Sequence, residues 1–195
     1  MTVNEDGIEK KILCRFQASR NLQWNRPTDG YRQAAVLVPL VWSGDQWNLL
    51  FTRRTDTVQD HKGQVSFPGG ASDPEDYSPE GTALRETYEE IGILPGDIKI
   101  LGKMNSMLTI THYEITPIIG KIPWPYHLKI SEVEVVRAFT IPYKWLANAR
   151  HYEVRQIDLG DNPNVPVIYF EEYEGELLWG ISAQIVVNMI EILSR

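Results

Sequence analysis

Cysteine is almost absent from this 195-residue chain. The single one, Cys14, cannot form an internal disulfide, and no Cys cluster exists to hold zinc. Long apolar runs are missing too: the longest, Ala34 to Trp42, is too short to cross a bilayer and contains Pro39. Positive charge is in deficit. Nineteen Lys and Arg against 26 Asp and Glu leave a formal net charge of -7, which argues against a nucleic-acid-binding surface. A phosphate-bearing small molecule is still compatible, provided that a few Arg or Lys side chains, backbone N–H groups or a bound metal meet its charge locally. The opening residues, MTVNEDGIEKK, are polar and acidic, unlike a secretory signal. The expectation is a soluble, cytoplasmic protein without membrane or nucleic-acid partners.

The chain has the material for one packed domain, with 43% hydrophobic and 23% charged residues. Ile8, Ile12 and Phe16 recur at helical spacing and predict an N-terminal helix, followed by an aperiodic connector with Pro27 and Asp29-Gly30. This divides the chain into a helix and connector over 1–30 and a main domain over 31–195. AAVLVPLVW and WNLLFTRR, separated by Ser43-Gly44-Asp45, read as a hairpin. VSFPGG and the turn-rich SDPEDYSPEG lead to a helix over TALRETYEEIGI, which Ser78 can cap, Pro79 can open and Gly92 can stop. IKILGKM, YEITPIIGKI, EVEVVRAFTI and VPVIYFEEY read as further strands. A last helix carries Ile181, Ile185, Met189 and Ile192 on one stripe. Hairpin and long connections, with one central and one C-terminal helix, predict a mixed α/β (α+β) class.

The central helix carries the chemistry. At roughly 100° per residue, Glu86, Glu89 and Glu90 fall within a roughly 100° arc, while Leu84, Thr87, Tyr88 and Ile91 lie opposite. Three like charges so placed repel one another. Arg85, four residues before Glu89, offsets part of that, and a hard divalent cation would offset more. Glutamates on a helix usually form a solvated face. Here Phe67-Pro68-Gly69-Gly70 and a Gly/Pro/Asp loop deliver the chain to them, and glycine lets backbone approach a ligand closely.

These residues resemble the Nudix box of the Nudix hydrolases: Gly70, Asp76, Arg85, Glu86, Glu89, Glu90, Gly92 and Ile93. Asp76 stands where the box usually has Glu, eight residues rather than seven separate it from Arg85, and Thr87 replaces an aliphatic. The Arg-Glu-x-x-Glu-Glu core is intact. Upstream, Leu50-Phe51-Thr52-Arg53-Arg54-Thr55, Gly63 and Phe67-Pro68-Gly69-Gly70 resemble, at the same spacing, the signature of the coenzyme A diphosphatase branch. Gln59 stands where that signature carries Arg, and an amide does not replace a bidentate guanidinium on phosphate. The similarity spans about residues 31 to 192.

The resemblance implies a Nudix fold, a mixed sheet sandwiched between helices. It also implies hydrolysis of a diphosphate linked to another group, with Mg²⁺ or Mn²⁺ held by Glu86, Glu89, Glu90 and the Gly70 carbonyl. Arg85 is expected to orient the glutamates. The general base is left between Glu86 or Glu89 and an acid from a distant loop, Glu134 or Glu132, which alternation would put on one strand face. Arg53, Arg54, Lys62 and Gly69 are the substrate-binding candidates. The branch points to coenzyme A, cleaved to 3′,5′-ADP and 4′-phosphopantetheine. ADP-ribose, NADH or another nucleoside diphosphate derivative is the alternative substrate class, and a non-catalytic ligand sensor is the third reading. The first thirty residues are left to dock on the domain or on a second subunit of a homodimer.

Overall fold

The run Ala34 to Trp42 lies in β1 (Arg32–Ser43), which turns through Gly44 and Asp45, both at positive φ, into β2 (Gln46–Arg54). The computed structural model describes residues 5–16, 28–55, 63–158 and 164–194. The two strands pair only where they meet the turn, Leu40 to Ser43 against Gln46 to Leu49. They then diverge, and the segment from Val65 to Ala71 fills the wedge with two short strands. In it, β3 (Val65–Ser66) pairs with β2, and β4 (Gly69–Ala71) pairs with Ala34 to Val36 of β1.

Pro39 sits where β1 changes neighbours. The Leu37 N–H reaches the Pro68 carbonyl at 2.8 Å, so by alternation the N–H that Pro39 lacks would point into the gap between β4 and β2. A central strand therefore tolerates a proline.

On its other edge β1 runs parallel to β7 (Tyr113–Lys121), which pairs antiparallel with β5 (Lys99–Lys103) and β6 (Met107–Leu108). β8 (Val135–Pro142) completes the sheet beside β2, and β9 (Tyr152–Ile157) with β10 (Val165–Phe170) forms a separate hairpin. β9 was not expected from the sequence. β8 begins later than the SEVEVV pattern predicts, because residues 132–134 form a turn in which the Glu134 N–H donates to the Ser131 carbonyl at 3.0 Å. Glu132 and Glu134 do not share a strand face.

Helices cover both sides of the sheet. Ala35, Leu37 and Val41 of β1 and Leu50 of β2 pack with Ala83 and Ile91 of α2 (Pro79–Ile91); α1 is Glu5–Phe16. The alternate residues Val38, Leu40, Leu49 and Phe51 pack toward Ile12 and Phe16 of α1 and toward the C-terminal helix. α3 (Tyr143–Leu146) is one turn, and α4 (Gly180–Ser194) buries Ile185, Val186 and Met189. The expected mixed sheet sandwiched between helices is what forms. The N-terminal helix docks on its own domain: Glu9 bridges Lys99 and Lys121, and a Cβ on Gly102 would stand 2.4 Å from Phe16 Cβ.

Candidate active site

α2 starts and stops where its sequence directs. Ser78 Oγ accepts from the Gly81 N–H at 3.1 Å, Pro79 opens the first turn, and Gly92 closes the helix at φ 72°. Its last carbonyls are taken up by a remote segment: the Lys129 N–H donates to Ile91 O at 3.0 Å and the Ser131 N–H to Glu90 O at 2.9 Å. That pairing brings Glu134 to the helix. Tyr88, expected on the packing side, is exposed, while Thr87 is buried and bonds back to Ala83 O at 2.6 Å. The buried face passes through Glu90 instead.

Arg85 ties the site together. It donates to Asp76 through Nε at 3.2 Å and Nη2 at 2.8 Å, and to the Ala71 carbonyl at 3.0 Å. Its Nη1 donates to Glu86 at 2.8 Å and to Glu89 at 3.1 Å. Asp76 also accepts from the Thr82 hydroxyl at 2.9 Å, and Arg85 beside it holds its pKa down at about 2. An aspartate with one more residue before the helix thus does the anchoring. Arg85 is taken up by these partners, which include two of the three glutamates.

The three glutamates differ. Glu89 is half-exposed at the surface end of the Arg85 fork. Glu86 is partly buried, and burial pushes its carboxyl above the ordinary range despite Arg85. Its carboxylate lies against Gly70, where a Cβ would sit 2.6 Å from it. Glu90 is 1% exposed, with Oε1 3.4 Å from Arg54 Nη1 and Oε2 without a hydrogen-bond partner. Burial raises its pKa to about 8; Arg54 opposes the rise, while Glu86 and Glu134 add to it. Among the described residues no three acidic or histidine side chains converge into a metal-holding group. The cause is local: Arg85 occupies Glu86 and Glu89, and Glu90 is turned to Arg54.

The remaining candidates separate. Arg53 and Arg54 are neighbours on a strand and point to opposite sheet faces. Arg54 is committed to Glu90, whereas Arg53 reaches Glu176 Oε1 at 3.5 Å. Gly69 is explained by packing, since at φ 152° a Cβ there would lie 2.4 Å from Ala35 O. Its N–H is bonded to Glu90. Glu134 stands close enough to oppose ionisation of both Glu86 and Glu90, and Glu132 is exposed. Lys62, Gln59 and His61 lie outside the described residues. Two residues escaped the sequence reading, Arg137 and Glu176. No periodicity marks Glu176, and Arg137 is linked to Arg53 only by strand register.

The NUDIX domain family model matches residues 31–144. A protein of Escherichia coli K12 described as an uncharacterized Nudix hydrolase, NudL, is 39% identical over 179 residues, covering 90% of this chain and 89% of its own. Its counterpart in Escherichia fergusonii is 41% identical over 181 residues, with the same coverage. Among solved structures, the MutT/nudix family protein from Enterococcus faecalis superposes with a TM-score of 0.54 at 14% identity, covering 94% of this chain and 72% of that one, a likeness of fold. With the family model spanning more than half of its residues and relatives of this identity aligned along nearly all of it, the chain belongs to the Nudix hydrolase family.

Proposed function

We propose that the chain is a metal-dependent diphosphatase that cleaves coenzyme A or its derivatives to 3′,5′-ADP and 4′-phosphopantetheine. The branch is supported by the spacing of Leu50 to Thr55, Gly63 and Phe67 to Gly70. The metal dependence is supported above all by Glu90, a buried carboxylate with an unpartnered oxygen and two further carboxylates opposing its charge. Among the described residues one guanidinium at 3.4 Å and the Gly69 N–H are what meet that charge, against burial and two carboxylates. The donors Glu86, Glu89, Glu90 and the Gly70 carbonyl are all oxygen, which fits Mg²⁺ or Mn²⁺.

When bound, such an ion neutralises non-bridging phosphate oxygens and lowers the pKa of a water. Asp76 holds Arg85, and Arg85 holds Glu86 and Glu89 on one side of α2. Gly70 has no Cβ to displace Glu86. Arg54 keeps Glu90 in place from beneath. We assign proton abstraction to Glu134 or Glu89, the acids at the open side of the cluster. Arg53 and Lys62 are assigned to the substrate.

A second reading, hydrolysis of ADP-ribose or NADH, is favoured by Gln59 in the position of the signature arginine. Product chromatography after incubation with coenzyme A, ADP-ribose and NADH separately tests both, with Mg²⁺, Mn²⁺ or chelator and a Glu89→Gln control. Metal-dependent 3′,5′-ADP from coenzyme A, absent in the variant, supports the first. Turnover of ADP-ribose or NADH alone would replace it with the second.

A further inference from the structure

Arg53 and Arg137 are direct register partners on β2 and β8, so two like charges stand opposite each other on one sheet face. Such a pair is destabilising unless neutralised. Glu176 neutralises half of it: Oε1 accepts from Arg137 Nε at 2.8 Å, is ion-paired with its Nη2 at 2.7 Å, and lies 3.5 Å from Arg53 Nη1. Among the described residues, one carboxylate against two guanidiniums leaves unit positive charge, in a chain whose net charge is -7.

The excess is available to solvent. The Arg53 and Arg137 side chains are 41% and 47% exposed, while Glu176 is 4% exposed, held from below by a turn in which Tyr173 and Glu176 bond to each other's backbone. Arg53 and Glu176 line a cleft of about 320 Å³ together with Gln64, Gly175, Leu177 and Trp179. Trp179 is stacked flat on Tyr169, with centroids 5.4 Å apart and rings within 10° of parallel. Leu177 is partly exposed beside it. Arg137 lies over the Phe139 ring, 5.1 Å from its centroid. A cationic floor beside an apolar wall suits an anion attached to a planar ring.

The cleft faces away from Glu90, yet Arg53 adjoins Arg54 on β2, so an extended substrate crossing the end of that strand meets both. We propose that this cleft binds a phosphomonoester of the substrate remote from the scissile diphosphate, with the attached base against Trp179. For coenzyme A that is the 3′-phosphoadenosine end, and the inference rests on the coenzyme A diphosphatase reading. Arg53 and Arg137 hold the phosphate, and Glu176 sets how much of their charge is left for it.

Calorimetric titration of the whole protein in chelator tests this with three probes: 3′,5′-ADP, 5′-AMP and inorganic phosphate. The parent protein should prefer 3′,5′-ADP over 5′-AMP by roughly tenfold or more, as expected for added charge-assisted hydrogen bonds. In Arg53→Gln and Arg137→Gln the ratio should fall toward one, with Arg137→Lys intermediate because it keeps charge and loses the fork. Glu176→Gln should raise the ratio, whereas a purely structural Glu176 would leave it unmoved; melting curves check that each variant is folded. Equal binding of the two nucleotides by the parent, or an unchanged ratio in both arginine variants, overturns the proposal. Inorganic phosphate binding as tightly as 3′,5′-ADP overturns it too, because the ring would then contribute nothing. Coenzyme A turnover without the preference sinks the cleft and spares the diphosphatase reading; the preference without coenzyme A turnover does the reverse.

Discussion

Two glutamates are buried almost equally and face neighbouring arginines of one strand, yet they are in opposite circumstances. Glu176 meets Arg137 through one hydrogen bond and a close ion pair to the same oxygen, and Arg53 beyond it. Among the described residues Glu90 faces one cation, Arg54 at 3.4 Å, with the Gly69 N–H beside it; it keeps one oxygen unpaired, and has Glu86 and Glu134 nearby. A buried carboxylate with cations in excess stabilises the fold that holds it. One with carboxylates in excess is costly until something positive arrives. The contrast teaches that burial alone does not mark a functional acid; the sign of its neighbours does.

The largest effect that would break this comparison is on catalysis. Glu90→Gln should reduce diphosphatase activity by about 10²–10⁴, the range for losing an essential charged group, without lowering the melting temperature in chelator. An active Glu90→Gln protein would put the two glutamates in the same class.

Next come the adjacent glycines. Gly69→Ala should cost about 2–4 kcal/mol of stability, because its Cβ meets β1 backbone at a φ of 152°. Gly70→Ala should fold nearly normally, since the atoms nearest its Cβ are the end of the Glu86 side chain, and should lose activity instead. Urea melts and initial rates on both variants read this out; equal stability loss in the two would reject the separation.

Glu176→Gln should destabilise by about 1–3 kcal/mol, less than for a fully buried pair because both arginines are substantially solvated. A denaturation midpoint unchanged from the parent would show that the pair contributes nothing.

The smallest effect is on pH dependence. Glu90 is raised from an ordinary 4.5 to about 8, so the stability carried by its neutral form is complete below about pH 4.5 and is lost as pH rises through about 8. In chelator the melting temperature should fall between about pH 5 and pH 8, and much of that fall should vanish in Glu90→Gln. Glu86, raised in the same direction by burial, supplies the remainder. Saturating Mg²⁺ should remove the slope from the parent, and an identical slope in parent and variant would contradict the assignment.

Much of this was legible in local pattern. Ile8, Ile12 and Phe16 marked α1, the Ser78, Pro79 and Gly92 triplet marked α2, and the spacing of Arg85 to Glu90 marked the family. What escaped depends on partners far along the chain. Val65–Ser66 and Gly69–Ala71 are strands because β1 and β2 diverge around them. Tyr88 looked like a packing residue by angle, but the space beneath the helix goes to Glu90, which no hydrophobic scale would bury. Asp76 was visible as a departure, and its function appeared only when its two oxygens met Arg85. Arg137 and Glu176 are 39 residues apart and joined by register and a turn.

The backbone bonds from Lys129 and Ser131 to the last carbonyls of α2 also have a dynamic consequence. The same two bonds finish the helix and hold the segment that carries Glu134, so the two cannot open independently. One local unfolding event frees both the final turn and that acid. The opening free energy of this unit therefore caps the fraction of molecules in which the site is assembled at any instant. Its value can be read from the hydrogen exchange of the amides of residues 129 and 131.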